Sequence, residues 1–186
     1  MKNKILPIAE TAILIALAVV LELLSKTFFN FVRMPNGGSF SIAMVAIVAI
    51  GFRRGAKYSI PAGIIFGFIN FLIDGYGLHW GSLFFDYLAA FGAYGICGFF
   101  KKYRNNIGIF TLAILLAGTV RYLFHGFSGV LFFADTVPAE YAGHIWFYSF
   151  VAYNLMYNLS STIVSMVISI ILHKQLFLFL KDEKWG

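Results

Sequence analysis

The chain has 186 residues, of which 60% are hydrophobic, 19% aromatic and only 12% charged. A soluble globular domain is about half apolar and about a quarter charged, so this composition excludes a disordered protein, a coiled coil and an ordinary soluble enzyme. The net charge of +6 does not indicate a nucleic-acid partner, because the basic residues lie in short loops between apolar runs. The composition predicts an integral membrane protein that forms a single domain over residues 1–186.

Six apolar runs follow one another along the chain, at roughly 6–25, 39–52, 56–73, 82–100, 108–134 and 143–173. A helix needs about 20 apolar residues to cross a bilayer, so these runs predict an all-α membrane protein, a bundle of six transmembrane helices. The first run carries Glu22 and lacks a small-residue cleavage site, which favours a retained helix over a signal peptide. The second run is short, and we expect it to be tilted, partly interfacial or extended into its loop.

The basic residues divide unevenly between alternate loops, which predicts the orientation of the helices. Of the 14 Lys and Arg residues, only Lys26 and Arg33 fall on one side, while Arg121 lies inside the fifth helix. The other eleven share the side of the two termini, and they are Lys2, Lys4, Arg53, Arg54, Lys57, Lys101, Lys102, Arg104, Lys174, Lys181 and Lys184. Because basic loops remain in the cytoplasm, both termini are predicted to be cytoplasmic, and an even number of crossings agrees with that.

Polar side chains interrupt the predicted helices at one common depth. An ionisable group at mid-bilayer costs about 2.5–3.5 kcal/mol on insertion scales, so such groups generally face a cavity or a partner. With the predicted orientation, these side chains fall in the outer half of the bundle or near its centre, and they include Asn70, Asp86, Tyr87, His125, Tyr153 and Asn158. One stripe on the fifth helix consists of residues spaced four apart, namely Arg121, His125, Gly129 and Phe133.

The stripe and Asp86 together indicate the chemistry of a ligand. Gly129 leaves a gap between the rings of His125 and Phe133, into which a flat ring fits. Asp86 can accept hydrogen bonds from an amino group or pair with a cation, and tyrosines offer stacking or cation–π faces worth about 0.5–2 kcal/mol each. The predicted ligand is small, flat, heteroaromatic and cationic.

A purely structural role is the alternative for these polar residues. Asp86 and Arg121 could form an ion pair, and Asn154 and Asn158 could bridge neighbouring helices.

The sequence contains no motif for catalysis, for a cofactor or for a metal. Ser128, Ser160 and Ser161 lack a GxSxG context, the histidines lack metal-ligand spacing, and there is no Walker A or GxGxxG sequence. The single cysteine, Cys97, excludes an intramolecular disulfide. We therefore expect a protein that is not an enzyme and has no cofactor, and that depends on an outside source of energy for any uphill transport.

Five motifs occur in order along the six predicted helices. They are MPNGGS at 34–39, FRRG at 52–55, Tyr76 followed ten positions later by Asp86-Tyr87, the segment 122–129, and YNLMYN at 153–158. In this order they resemble the thiamine-specific ThiT/YuaJ group of substrate-binding S-components of energy-coupling factor (ECF) vitamin transporters. The resemblance implies a six-helix S-component that binds thiamine from outside the cell. It also implies substrate-binding roles for Tyr76, Asp86, Tyr87, Arg121, His125, Gly129, Phe133, Tyr153 and Asn158, with Asp86 on the aminopyrimidine ring and Tyr76 at the pocket mouth. On the sixth helix, Tyr153 with Asn158 matches the Tyr and Asn of the family, and Tyr148 with Asn154 offers a second register.

The resemblance also implies partners and a location. The partners are a membrane scaffold subunit, the T-component, and two cytoplasmic ATPases, and the location is the bacterial cell membrane. Ala12 and Ala16 match a small-xxx-small motif for partner binding on the first helix, where small side chains allow another backbone to approach closely.

Phe133 matches a position where some thiamine binders have a tryptophan, and phenylalanine stacks on a ligand with less area. Two other kinds of ligand are therefore alternatives to thiamine. One is the precursor hydroxymethylpyrimidine, and the other is a different flat vitamin. A structural or assembly membrane protein without a ligand is the alternative from another class.

Overall fold

The computed structural model describes residues 5–30, 33–77 and 79–177, and every regular element within these ranges is helical. We number the helices α1 (Ile5–Phe28), α2 (Met44–Arg54), α3 (Ala56–Asp74), α4 (Trp80–Tyr103), α5 (Ile107–Phe132), α6 (Ile145–Ile171) and α7 (His173–Phe177). Single 3₁₀ turns lie at Pro35–Gly37, Ala134–Thr136 and Ala139–Tyr141. The predicted all-α bundle is confirmed. The predicted topology residues Lys2, Lys4, Lys181 and Lys184 lie outside the described residues.

Five of these helices, α1, α3, α4, α5 and α6, are long and apolar enough to cross a membrane. The chain is thus a multi-pass membrane protein. The second predicted crossing is a shorter helix, because α2 has 11 residues. At about 1.5 Å per residue it covers about half of the hydrocarbon thickness.

The segment before α2 is extended, and side chains from other helices satisfy its backbone. The amide of Ser41 donates to Ser161 Oγ on α6 at 3.1 Å, and the amide of Ile42 donates to Ser25 Oγ on α1 at 3.1 Å. A buried amide without a partner is costly, so these serines allow irregular backbone inside the bundle. This is why the predicted second helix begins only at Met44.

α2 forms the centre of the bundle, since nearly all of its residues are buried. α1, α3, α4 and α6 surround it. Its last residues, Arg53 and Arg54, both pair with Glu10 near the start of α1, and Arg53 also donates to the carbonyl of Leu176 in α7. The arginines predicted as topology anchors therefore also fasten three helices at one end of the bundle.

A close contact between α3 and α4 fixes the position of the polar part of α4. A methyl group placed on Gly67 would lie 2.2 Å from the carbonyl oxygen of Tyr87. Only glycine permits this approach, which is the close helix packing that the intrahelical glycines predicted. The contact holds Tyr87, and Asp86 beside it, at the opposite end of the bundle from Glu10.

Candidate functional site

A recess of about 90 Å³ lies at the end of the bundle where α1 ends and α4 begins. One water molecule needs about 10–15 Å³ by the same measure, so the recess is larger than a hydration site. Helices α1, α3, α4, α5 and α6 and the loop after α1 contribute its walls. The lining residues are Glu22, Lys26, Gly37, Gly38, Ser39, Asn70, Tyr76, Asp86, Tyr87, Phe91, Arg121, His125, Gly129, Phe133, Thr136, Tyr148, Ser149, Tyr153, Asn154 and Tyr157.

Two π-helical segments bring most of the polar groups of α4 and α6 to the recess. The segment Leu83–Ala89 in α4 carries Asp86 and Tyr87, and the segment Tyr148–Leu155 in α6 carries Ser149, Tyr153 and Asn154. A π-helix bonds residue i to residue i+5, so side chains five apart lie nearly above one another. Tyr148 and Tyr153 accordingly both line the recess.

Asp86 is held by two side chains of α5. The Nδ1–H of His125 donates to Asp86 Oδ1 at 2.9 Å, and Ser128 Oγ donates to Asp86 Oδ2 at 2.5 Å. An ionised carboxylate only accepts hydrogen bonds, so the Nδ1 atom of His125 carries a proton. The predicted alternative of an Asp86–Arg121 ion pair is not formed within the described part of the chain.

Arg121 lies one helical turn from His125 and lines the recess, although only 3% of its surface is exposed. Its guanidinium carbon sits 4.9 Å from the ring centre of Phe91 and 5.9 Å from that of Tyr94. Its Nε and Nη1 have no hydrogen-bond partner among the described residues. The Nε2 atom of His125 is likewise buried and without a partner there.

Aromatic side chains line the outer part of the recess. The rings of Tyr76 and Phe133 are stacked, with their centres 6.4 Å apart and an interplanar angle of 22°. The amide of Tyr76 donates to the hydroxyl of Tyr87 at 2.8 Å. Tyr76 is 40% exposed, which agrees with a place at the mouth.

Gly129 plays a different part from the one predicted for it. It lines the recess, but a methyl group there would lie 2.1 Å from Ser149 Oγ on α6. The missing side chain therefore lets α5 and α6 approach each other, and Ser149 fills part of the predicted gap between His125 and Phe133.

The recess contains both residues of the Tyr148 and Asn154 register, and only Tyr153 of the other register. Tyr153, Tyr148 and Asn154 line the recess together. Asn158 is not among the residues that line it, and its predicted contact with a ligand stays a prediction. It lies one α-helical turn farther along α6, where it is 1% exposed and donates through Nδ2 to the carbonyl of Asn154 at 3.0 Å. Asn154 is fixed by the hydroxyl of Tyr157, which donates to its Oδ1 at 2.6 Å.

Three polar residues form the opposite wall. Lys26 Nζ donates to Asn70 Oδ1 at 2.7 Å and pairs with Glu22 at 3.4 Å, and Ser41 donates to Glu22. The prediction noted Asn70 as a polar residue but missed Glu22 and Lys26 as recess residues. A signal was present, since a Glu and a Lys four apart in an apolar helix share one face.

Ala12 and Ala16 lie elsewhere, exposed on α1 in the half that contains Glu10. They are distant in sequence from the recess residues of the same helix, Glu22 and Lys26. A small-xxx-small face is thus available on the surface of the bundle.

Comparisons with known proteins agree with this arrangement. The family described as "Thiamine transporter protein (Thia_YuaJ)" matches residues 8–180. The thiamine transporter ThiT of Bacillus subtilis (strain 168) is 31% identical over 193 residues, which cover 98% of this chain and 97% of that protein. The solved structure of ThiT from Listeria monocytogenes superposes with a TM-score of 0.76 at 28% identity, covering 94% of this chain and 99% of that one. The sequence matches extend over nearly the whole chain, and the fold agrees with them. The chain therefore belongs to the thiamine transporter protein family.

Proposed function

We propose that this chain is the thiamine-binding S-component of an ECF-type vitamin importer in a bacterial cell membrane. The recess opens to the exterior and both termini lie in the cytoplasm. The observation that carries the proposal is the convergence of Asp86, His125 and several tyrosines on one recess at one end of the bundle. Family membership and the likeness to ThiT structures support it.

The chemistry of the recess suits thiamine, which joins an aminopyrimidine ring to a permanently cationic thiazolium ring. Asp86 provides a carboxylate for the amino group, and His125 and Ser128 orient it. Charge-assisted hydrogen bonds of this kind are about twice as strong as neutral ones. Tyr76 and Phe133 provide ring faces for the heterocycles, and tyrosine faces attract a cation.

Calorimetry on the purified full chain tests the proposal. Thiamine should bind at micromolar concentrations or below, and Asp86→Asn should weaken binding by about 2 kcal/mol, or about 30-fold in Kd. Asp135→Asn is the matched control, because Asp135 is exposed and lies outside the recess. Absence of thiamine binding at micromolar concentrations would remove the function. An equal effect of both variants would remove Asp86 from the site.

A competition panel decides between thiamine and its alternatives. Hydroxymethylpyrimidine contains the ring assigned to Asp86 but lacks the cationic ring. It should therefore compete only weakly, because it forgoes the cation–π contacts with the tyrosines. A precursor that displaces thiamine at equal concentration would reassign the substrate.

The importer is completed by a T-component and two cytoplasmic ATPases. The chain has no Walker A sequence, so these subunits supply the energy. We place the contact with the T-component at the exposed Ala12 and Ala16 of α1.

A further inference from the structure

Arg121 presents a buried charge at the inner end of the recess, and no carboxylate of the described residues contacts it. Arginine side chains are cationic in proteins, and only 3% of this one is exposed to solvent. Its Nε and Nη1 lack hydrogen-bond partners, and no salt bridge joins it to a carboxylate among the described residues. A buried charge without a counter-charge is costly.

The two carboxylates of the recess are held by groups other than Arg121. Glu22 pairs with Lys26 at 3.4 Å, and Asp86 accepts from His125 at 2.9 Å. The ring faces of Phe91 and Tyr94 attract the guanidinium, but they carry no net charge. Among the described residues, no carboxylate contacts the Arg121 guanidinium.

We propose that Arg121 forms an anion subsite at the inner end of the recess, where one small anion binds together with the cationic vitamin. This inference rests on the proposed function and adds a second ligand to the same site. Thiamine brings a further positive charge into a recess that already holds that of Arg121, and an anion between them relieves the repulsion. By linkage, each ligand then raises the affinity for the other.

The anion can come from two sources that share one chemistry. A halide such as chloride can enter from solution, or a thiamine phosphate ester can carry its own anionic group. Ordered water is the competing explanation. Water satisfies N–H groups but adds no charge, so it predicts no dependence on the anion present.

The test measures thiamine affinity by calorimetry in sodium chloride and in sodium gluconate at equal ionic strength, without phosphate. Gluconate is too bulky to accompany thiamine in the recess. The affinity of the unaltered chain should be at least about fivefold weaker in gluconate. Arg121→Met should remove this difference. Lys102→Met, which removes an exposed cation outside the recess, should retain it.

A second arm distinguishes the sources of the anion. In the first outcome, thiamine monophosphate binds in gluconate as tightly as thiamine binds in chloride, and Arg121→Met abolishes this tight binding of the monophosphate. The ligand then supplies the anion. If only chloride restores affinity, the anion comes from solution. Equal thiamine affinity in both salts, together with no advantage of the monophosphate in gluconate, overturns the proposal. These salt comparisons on the unaltered chain decide the matter even if Arg121→Met fails to fold.

Ligand-free protein separates this proposal from the function on which it rests. Chloride should raise its melting temperature relative to gluconate in the unaltered chain and in Lys102→Met, but not in Arg121→Met. If thiamine fails to bind in either salt while this shift persists, the vitamin function is wrong and the anion site stands. If thiamine binds, neither its affinity nor the melting temperature responds to the anion, and the monophosphate has no advantage in gluconate, the anion site is wrong.

Discussion

The hydroxyl oxygen of Tyr153 lies 3.1 Å from the backbone amide of Gly38, which donates to it, so α6 holds the loop that follows α1. The same hydroxyl donates to the carbonyl of Pro35. Gly38 and Tyr153 both line the recess, and the loop is therefore one of its walls. A ligand that enters or leaves on this side has to pass a segment that one phenol group restrains.

Replacing this phenol should change ligand kinetics. Tyr153→Phe removes both contacts with the loop while it keeps the ring, so thiamine should dissociate several-fold faster, since a net hydrogen bond contributes about 0.5–1.5 kcal/mol. Displacement of bound thiamine by excess unlabelled ligand measures the rate. Tyr141→Phe, a tyrosine outside the recess, should leave it unchanged. Unaltered dissociation in Tyr153→Phe would mean that the phenol does not restrain the loop.

The contact between α5 and α6 at Gly129 should be sensitive to a single methyl group. Gly129→Ala places a carbon 2.1 Å from Ser149 Oγ, so the two helices must separate or Ser149 must change rotamer. Overpacking of this kind costs about 1–3 kcal/mol, and we expect a lower melting temperature and weaker thiamine binding. Gly108→Ala, where the methyl group meets only the side chain of Asn106 at 3.3 Å, is the control for scanning fluorimetry. An equal effect of the two variants would contradict the role of Gly129.

Phe133 should tolerate, and gain from, a larger ring. Phe133→Trp extends the stacking surface opposite Tyr76, and tryptophan is the best cation–π partner. We expect thiamine to bind tighter by about 0.5–1 kcal/mol, measured by calorimetry. Phe147→Trp, at a position 54% exposed outside the recess, should have no effect. Weaker binding in Phe133→Trp would indicate that the recess has no space for the additional ring.

Ala12 and Ala16 should matter for uptake but not for binding. Ala12→Leu with Ala16→Leu adds bulk to an exposed face of α1, which blocks close approach of another helix. Thiamine uptake by cells that express the whole importer should fall strongly, while the thiamine affinity of the purified chain stays the same. Thr119→Leu adds bulk to an exposed position of α5 and should spare both properties. Full uptake by the double variant would place the T-component elsewhere.

The sequence predicts the fold and most of the recess because membrane insertion imposes a simple pattern. Apolar runs of membrane length give the long helices, and costly polar groups within them indicate a shared cavity. Eight of the nine predicted substrate-binding residues line the recess, and they are Tyr76, Asp86, Tyr87, Arg121, His125, Gly129, Phe133 and Tyr153. Whether each of them contacts thiamine stays a prediction that the variants above test.

The differences arise where local hydrogen bonding departs from the regular α-helix. The sequence pattern does not show that Ser25 and Ser161 satisfy extended backbone before α2, so the second helix is shorter than its apolar run. Nor does it reveal the π-helical segment of α6, which determines which side chains of that helix reach the recess. Glu22 and Lys26 were missed because a charge pair near the end of a helix resembles a loop signal.

The π-helical segments of α4 and α6 have a consequence for how related chains should be compared. Each segment is equivalent to one residue inserted into an α-helix, and its removal would rotate everything beyond it by about 100°. A relative that lacks one residue between 148 and 155 could not present the counterparts of Tyr148 and Asn154 together. In an alignment of the family, a single-residue deletion in this stretch should therefore identify members that bind a different ligand.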